Sequence, residues 1–108
     1  MQDAKITNLR IRENNRHLAA IGQDPVPIVK QVAGVGHNLP GANVVVANVP
    51  AVQVGQPSPA FPQTHAAIFD MGAGQLSRLA IQYNEQFGIL VDDDEATRRF
   101  KFWQWVQY

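Results

Sequence analysis

The sequence predicts an α+β fold, in which a β-rich or extended N-terminal half precedes a small C-terminal unit of two to three helices. The chain has 108 residues, the size of one domain, and 45% of them are hydrophobic. All of its aromatic residues, five Phe, two Trp and two Tyr, follow position 60. Residues 31–69 contain no Asp, Glu, Lys or Arg. Two halves of different composition therefore form one domain.

The composition divides this domain into a β-rich or extended region at residues 1–54, a proline-rich connector at 55–64 and a helical unit at 65–108. Aromatic side chains bury far more area than Val or Ala, so the first sixty residues can form only a shallow core alone. We therefore expect them to pack against the second half or against another chain.

The first strand is predicted at residues 5–12, where Leu9 and Ile11 alternate with arginines in the period-2 pattern of a half-buried strand. A turn follows at residues 13–16, because Asn tolerates left-handed backbone angles. Residues 17–21 fit a second strand and a short helical turn equally well.

Further strands are predicted between the prolines and glycines of the first half. Pro25 and Pro27 favour an extended backbone, so residues 26–32 should follow as a strand. Residues 43–49 give the strongest strand signal, because they are rich in β-branched residues and bounded by Gly and Pro. A shorter strand is predicted directly after them at residues 51–54.

The proline-rich stretch at residues 55–62 carries Pro57, Pro59 and Pro62, which favour an extended backbone without internal hydrogen bonds. Its two interpretations are a linker and an arm that docks on a neighbouring chain.

Helical signals begin after Thr64. Residues 65–71 are predicted to form a short helix capped by Thr64. Residues 75–87 form the clearest helix, because their apolar residues share one face and Gly88 follows where a C-terminal cap belongs. The acidic run at residues 92–95 predicts the start of another helix. Residues 100–108 are also rich in strand formers, although helix is the favoured interpretation.

Residues 34–41 are rich in glycine, but they include Pro40 and lead into a strand-like segment instead of a helix, so a turn or close backbone packing is predicted in place of a phosphate site. The histidines at 17, 37 and 65 lack the spacing of metal ligands. Ser58 and Ser77 have no recognisable base, and the acidic run lacks the spacing of a calcium loop. With no cysteine either, we predict no catalytic, cofactor-binding or metal-binding residue, and hence no enzyme.

The balance of charge indicates which partners to expect. Nine basic residues balance nine acidic ones, so a general nucleic-acid binder is not expected. No apolar run reaches the roughly 18 residues of a membrane span, and the N-terminus lacks the pattern of a signal peptide. The expected location is a virion if the protein is viral and the cytoplasm otherwise, without secretion through a signal peptide.

The aromatic cluster at residues 100–108 is spread around too much of a helix for one neighbouring helix to cover it. Aromatic residues of this kind anchor interfaces, although they equally suit the core of a small domain. The predicted partner interface consists of Val44, Val46, Val49, Phe61, Phe102, Trp103, Trp105 and Tyr108. An alternative is a small nucleic-acid-binding adaptor that uses Arg98, Arg99 and Lys101 with Trp103 and Trp105.

Two resemblances bear on function. The segments LSRLA (76–80), FGILVD (87–92) and FWQWV (102–106) resemble helix–extension–helix modules related to SAP domains, some of which bind DNA. The whole composition resembles small virion proteins of tailed bacteriophages, such as head decoration, cement or connector-associated subunits. The latter implies a non-enzymatic assembly protein whose partners are other subunits, in a homo-oligomer or a capsid-like lattice. We accordingly expect residues 31–69 to make largely intermolecular contacts.

Overall fold

Helices make up the regular structure of the described chain. The computed structural model describes residues 3–36, 39 and 49–108. Within them α1 spans Asp3–Ala20, α2 spans His65–Phe69, α3 spans Ala73–Tyr83 and α4 spans Glu95–Gln107. Val29 and Pro57 form an isolated antiparallel bridge, and the described residues contain no sheet. The predicted α+β class, with its β-rich or extended N-terminal half, is therefore wrong.

Helix α1 replaces the strand predicted at residues 5–12 and the ambiguous segment at 17–21. Its inward face is mostly polar, since Asn8, Arg12 and Asn15 are buried at helical spacing. Leu9, which suggested the inner face of a strand, is exposed. The buried positions of α1 therefore recur about every 3.6 residues, as in any amphipathic helix, but most of them are polar.

The buried asparagines of α1 bind the segment predicted as a strand at residues 26–32. Asn8 Nδ2 donates to Val29 O at 2.7 Å, and its Oδ1 accepts from Val29 N at 2.9 Å. Asn15 pairs in the same way with Val26, at 3.1 and 2.7 Å. Seven residues of helix and three residues of extended chain both cover about 10 Å. Val26 and Val29 therefore pair with helix side chains, while Lys30 next to them pairs with the backbone of Gly55 and Gln56.

The same face of α1 caps the C-terminus of α4. Arg12 Nε donates to Trp105 O at 2.8 Å and Asn15 Nδ2 to Val106 O at 3.0 Å. Arg16 Nη1 donates to Gln107 O at 2.5 Å. The last carbonyls of a helix have no partner within it and form the negative end of its dipole. Side chains of α1 thus satisfy these carbonyls, two of them through guanidinium groups.

The C-terminal helices begin and end at identifiable caps. Thr64 Oγ1 accepts from Ala67 N at 3.0 Å and starts α2, as the sequence predicts. Asp94 Oδ1 accepts from Thr97 N at 2.8 Å and starts α4. Helix α3 ends at Tyr83, one turn before the predicted end, because Asn84 adopts the left-handed conformation (φ 52°). Residues 100–107 are helical, so the strand alternative is wrong.

The hydrophobic core lies between α3 and α4. Tyr83, Phe87 and Phe102 are buried there beside aliphatic residues of α2 and α3. From the first sixty residues, Ile28 is fully buried in this core. Phe61, from the predicted connector, is also in it. The two halves thus share one core, which is one of the two alternatives that the composition leaves open.

Two glycines provide a matched test of this packing. A Cβ at Gly36 would lie 2.7 Å from Ala80 O in α3, whereas one at Gly74, inside α3, would meet nothing within 4 Å. We expect Gly36→Ala to lower the free energy of unfolding by about 1–3 kcal/mol, because the backbones must separate. Gly74→Ala should raise it by roughly 0.5–1 kcal/mol through helix propensity. Urea denaturation checks both; equal effects would show that Gly36 does not pack closely.

Candidate interaction surface

The residues predicted to form the partner interface lie in different environments. Phe61 and Phe102 are buried against each other, with ring centroids 5.7 Å apart. Trp103, Trp105 and Val49 are half-buried, and Tyr108 is exposed. Val44 and Val46 lie outside the described residues. Burial inside the chain removes Phe61 and Phe102 from any surface, and the structure gathers the other three aromatics on α4 and its C-terminal cap.

Trp103 belongs to an aromatic cluster where α2 meets α4. Its ring centroid lies 4.7 Å from that of His65 and 6.1 Å from that of Phe69. The contacts with both rings are edge-on, the geometry that aromatic quadrupoles favour. Phe69 remains partly exposed. This cluster fixes the short helix α2 on α4 and leaves an aromatic edge at the surface.

A groove lies on the other side of α4. It has a volume of about 330 Å³ and is open to solvent. Its lining consists of Phe87, Gly88, Lys101, Gln104, Trp105 and Tyr108. The Trp105 ring packs against Phe87, at 4.6 Å between centroids, and the Arg12 guanidinium lies over it, 4.9 Å from the ring centroid. Trp105 and Phe87 therefore give the groove a fixed aromatic surface.

One edge of the groove continues into the turn formed by residues 88–93. Leu90 and Val91 in this turn are 61% and 70% exposed. Arg98 holds their backbone, with Nη2 donating to Leu90 O at 3.3 Å and to Val91 O at 2.9 Å. Asp93 Oδ2 accepts from Leu90 N at 2.8 Å. Two aliphatic side chains thus face water from a turn that the protein itself fixes.

The three cations that suggested a nucleic-acid adaptor all form hydrogen bonds or ion pairs within the chain. Arg98 is buried and donates to backbone carbonyls of the 88–93 turn. Arg99 Nη1 donates to Met71 O at 3.0 Å. Lys101 Nζ lies 2.6 Å from Asp93 Oδ2. Neutralising phosphates requires available cations, so these contacts argue against the adaptor function.

The acidic run has a structural role in the described chain. Hydrogen bonds from Leu90 N and then from Lys101 lower the pKa of Asp93. The pKa of Asp94 is lowered by hydrogen bonds from the side chain and the backbone N–H of Thr97. No group of three or more His, Cys, Asp or Glu residues that could hold a metal occurs among the residues described. Asp94 thus caps the start of α4 within the acidic run, as the sequence predicts, whereas Asp93 holds the preceding turn.

Ser58, considered as a nucleophile, belongs to a buried polar network. Its Oγ donates to Gln82 Oε1 at 2.5 Å, and its backbone N–H donates to the Tyr83 hydroxyl at 3.0 Å. The Tyr83 hydroxyl in turn donates to Ile28 O at 2.5 Å. This network joins the proline-rich stretch and the first half of the chain to α3.

Lys30 is buried at the edge of this network, which the sequence analysis missed. Its Nζ donates to Gln82 O at 2.6 Å and also to Gly34 O. In the described part of the chain, no carboxylate forms a salt bridge with it. Burial lowers the pKa of Lys30. Its ammonium connects the loop after residue 30 to the end of α3, a structural role without an accessible substrate site.

Tyr83 should make the fold sensitive to alkali. Burial raises the pKa of Tyr83 to about 12 from the ordinary value of 10.0. The folded state keeps this proton to a higher pH than the unfolded state does. The contribution of Tyr83 to the free energy of unfolding is therefore fully present below pH 10.0 and is lost as the pH rises through about 12. The expected loss in the free energy of unfolding is about 2–3 kcal/mol. Urea denaturation across this range checks it.

The control for this prediction is Tyr83→Phe. It removes the ionisable hydroxyl together with its two hydrogen bonds, and should therefore lower stability at neutral pH by about 1–3 kcal/mol. The variant should lose less further stability across the alkaline range than the unmodified protein. Parallel pH profiles for the two proteins would contradict the assignment to Tyr83.

No protein-family model matches the chain, and no curated protein or solved structure is significantly similar to it. The two resemblances stated above therefore stay predictions. None of the helices in the described part of the chain is long and apolar enough to cross a membrane.

Proposed function

We propose that this protein is a non-enzymatic structural protein that assembles into a larger particle and binds other subunits through the surface around α4. The observation that carries this proposal is the exposure of Leu90, Val91, Phe100 and Tyr108. These side chains are between 52% and 75% exposed, on or beside a helix whose opposite face forms the core. Exposed apolar side chains that the core does not need are candidates for protein–protein contacts.

The organisation of α4 supports this function. Its inner residues Phe102 and Val106 are fully buried, so the chain completes its own core without Phe100 and Tyr108. Phe100 and the C-cap Tyr108 are eight residues apart, about 2.2 helical turns, so they lie within about 80° of each other around the helix axis. Aromatic residues that the core does not need are suited to act as anchors for a partner.

The composition supports a particle with many subunits. The chain has no net charge, which favours close packing of identical or similar subunits over electrostatic repulsion. Its resemblance to small virion proteins of tailed bacteriophages makes a virion the first particle to test. The partners proposed are other protein subunits.

A gradient experiment tests the assembly function. The chain, carrying a small tag, is expressed in its natural source, and the extract is separated on a sucrose gradient. We expect it to sediment with a particle much larger than the chain or its dimer, and electron microscopy of that fraction should show a regular assembly. Sedimentation as a free small protein would contradict the proposal.

Matched variants show whether the surface around α4 is responsible. Phe100→Asp should move the chain out of the particle fraction, because a charge would replace an apolar contact. Ile21→Asp, at a 69% exposed position just after α1, should leave it there. If both variants stayed in the particle fraction, or both left it, the contact with other subunits would not depend on the surface around α4.

A further inference from the structure

We propose that α1 is a strap that opens from the rest of the fold as one unit and closes more tightly when Glu85 takes up a proton. This inference goes beyond the assembly function and does not depend on it. Parts of a protein that few buried apolar contacts hold in place open at a lower free energy than global unfolding requires. The contacts of α1 have this character.

Helix α1 contributes little to the hydrophobic core. Among its described side chains, only one of the four that are buried is apolar: Ala4, beside Asn8, Arg12 and Asn15. Ile11 is half-buried and packs at the rim of the core, whose fully buried members all lie outside α1 in the described chain. Water replaces the hydrogen bonds of a polar side chain that leaves its partner, whereas lost apolar burial has no such replacement. Opening α1 therefore leaves the core intact.

The connection after α1 suits a hinge. Gly22 has a left-handed backbone (φ 73°), and its N–H donates to Ala19 O at 3.2 Å, so α1 ends in a cap of its own. Residues 21–24 are exposed. The chain is next fastened at Asp24, whose Oδ1 accepts from His65 N at 3.0 Å. The exposed residues before Asp24 therefore separate the strap from the rest of the fold.

The extended segment beneath α1 is held by contacts that do not involve the strap. Ile28 lies in the core, and its carbonyl oxygen accepts from the Tyr83 hydroxyl at 2.5 Å. Lys30 N donates to Gln56 O at 2.9 Å, and Lys30 O accepts from Gly55 N at 2.8 Å. Opening α1 therefore uncovers this segment and the C-terminus of α4 without unfolding them.

Glu85, which follows α3, provides the response to pH. Its Oε2 is buried and has no hydrogen-bond partner in the described part of the chain. The cations that act on this carboxyl group, Arg12 and Lys5, both belong to α1. Tyr83, at the end of α3, is the other titratable group with which it interacts. Burying an ionised carboxylate that lacks a hydrogen bond is unfavourable, so the closed strap favours the protonated form.

The direction of this response follows from the burial of Glu85. Burial raises the pKa of Glu85 above its ordinary value of 4.5, although Arg12 and Lys5 oppose the increase. Opening the strap returns the carboxyl group to water and to its ordinary pKa. The contribution of protonated Glu85 to the closed state is therefore fully present below pH 4.5 and is lost as the pH rises through the raised pKa. The strap accordingly opens more readily near neutral pH than in acid.

Native-state hydrogen exchange of the full chain, measured amide by amide, tests whether α1 opens as a unit. We expect the amides of residues 11–18 to share one protection factor, at least about ten-fold below that of the α3 amides. Ile68→Val, a change in the core, should lower the protection factors of α3 by about two- to ten-fold and leave those of α1 unchanged. Equal losses in both helices would overturn the strap, because α1 would then open only when the whole fold unfolds.

The same measurement between about pH 4.5 and pH 7 tests the role of Glu85. After correction for the intrinsic exchange rate, the protection factors of α1 should rise as the pH falls. Glu85→Gln keeps this side chain neutral and should remove the dependence on pH, whereas Glu13→Gln, the same change at an exposed position of α1, should retain it. Protection factors that stay constant with pH in the unmodified chain, or that respond alike in the two variants, would overturn the link to this proton.

Discussion

Phe102→Ala is expected to lower the free energy of unfolding by about 3–5 kcal/mol, the largest effect of any substitution considered. Phe102 is fully buried, and its ring centroid lies 5.0 Å from that of Phe87 and 5.7 Å from those of Phe61 and Trp105. It therefore connects the proline-rich stretch, the turn after α3 and α4. A domain has only about 5–15 kcal/mol of stability in total, so the variant should be close to unfolding at room temperature.

The matched control is Phe100→Ala, the same change two residues earlier on α4. Phe100 is 52% exposed, so its loss should change the free energy of unfolding by less than about 0.5–1 kcal/mol. Urea denaturation followed by tryptophan fluorescence measures both, because Trp103 and Trp105 lie on the same helix. Similar losses in the two variants would show that α4 is rotated relative to the structure described.

The C-terminal helices could be predicted from the sequence because their signals are local. Leu76, Leu79, Ala80 and Tyr83 follow the 3.6-residue period and are all buried. Thr64 and the acidic run supply recognisable N-caps. The end of α3 could not be predicted as well, because both Asn84 and Gly88 suit a left-handed cap. The structure selects Asn84, whose Nδ2 donates to Ala33 O at 2.9 Å, a contact distant in sequence.

The candidate surface could be predicted only in part. The sequence indicates that a single interface cannot cover every aromatic residue at 100–108, and the structure accordingly buries Phe102 and exposes Phe100 and Tyr108. The sequence gives no sign that the Arg98 side chain would turn inward to donate to Leu90 O and Val91 O. Such bonds join side chains to backbone atoms, and backbone atoms are the same for every residue type.

Helix α1 was mispredicted for the same physical reason. A helix is recognised in a sequence by its apolar stripe, and the stripe of α1 that faces the chain is occupied by Asn8, Arg12 and Asn15. Their backbone partners are carbonyl and amide groups of residues 26, 29, 105 and 106. The alternation of Leu9 and Ile11 with arginines was then the strongest remaining pattern, and it indicated a strand.

Asn15→Leu should accordingly destabilise the protein, although it would give α1 a more ordinary apolar stripe. Asn15 is buried, accepts from Val26 N and donates to Val26 O and Val106 O. Leucine is close in size but can bond to none of these groups. Each buried polar group without a partner costs about 1–3 kcal/mol. We expect a total loss of about 2–4 kcal/mol in the free energy of unfolding, since some of these groups would regain water.

Asn14→Leu separates this effect from helix propensity, because it makes the same change at the exposed neighbouring position. Leucine is the better helix former, so this variant should be unchanged or slightly more stable in urea denaturation. If Asn15→Leu behaved like Asn14→Leu, α1 would be held by apolar burial, as in an ordinary amphipathic helix. A loss confined to position 15 would instead show that side-chain bonds to the backbone fasten α1 to the C-terminus of α4, which lines the candidate groove.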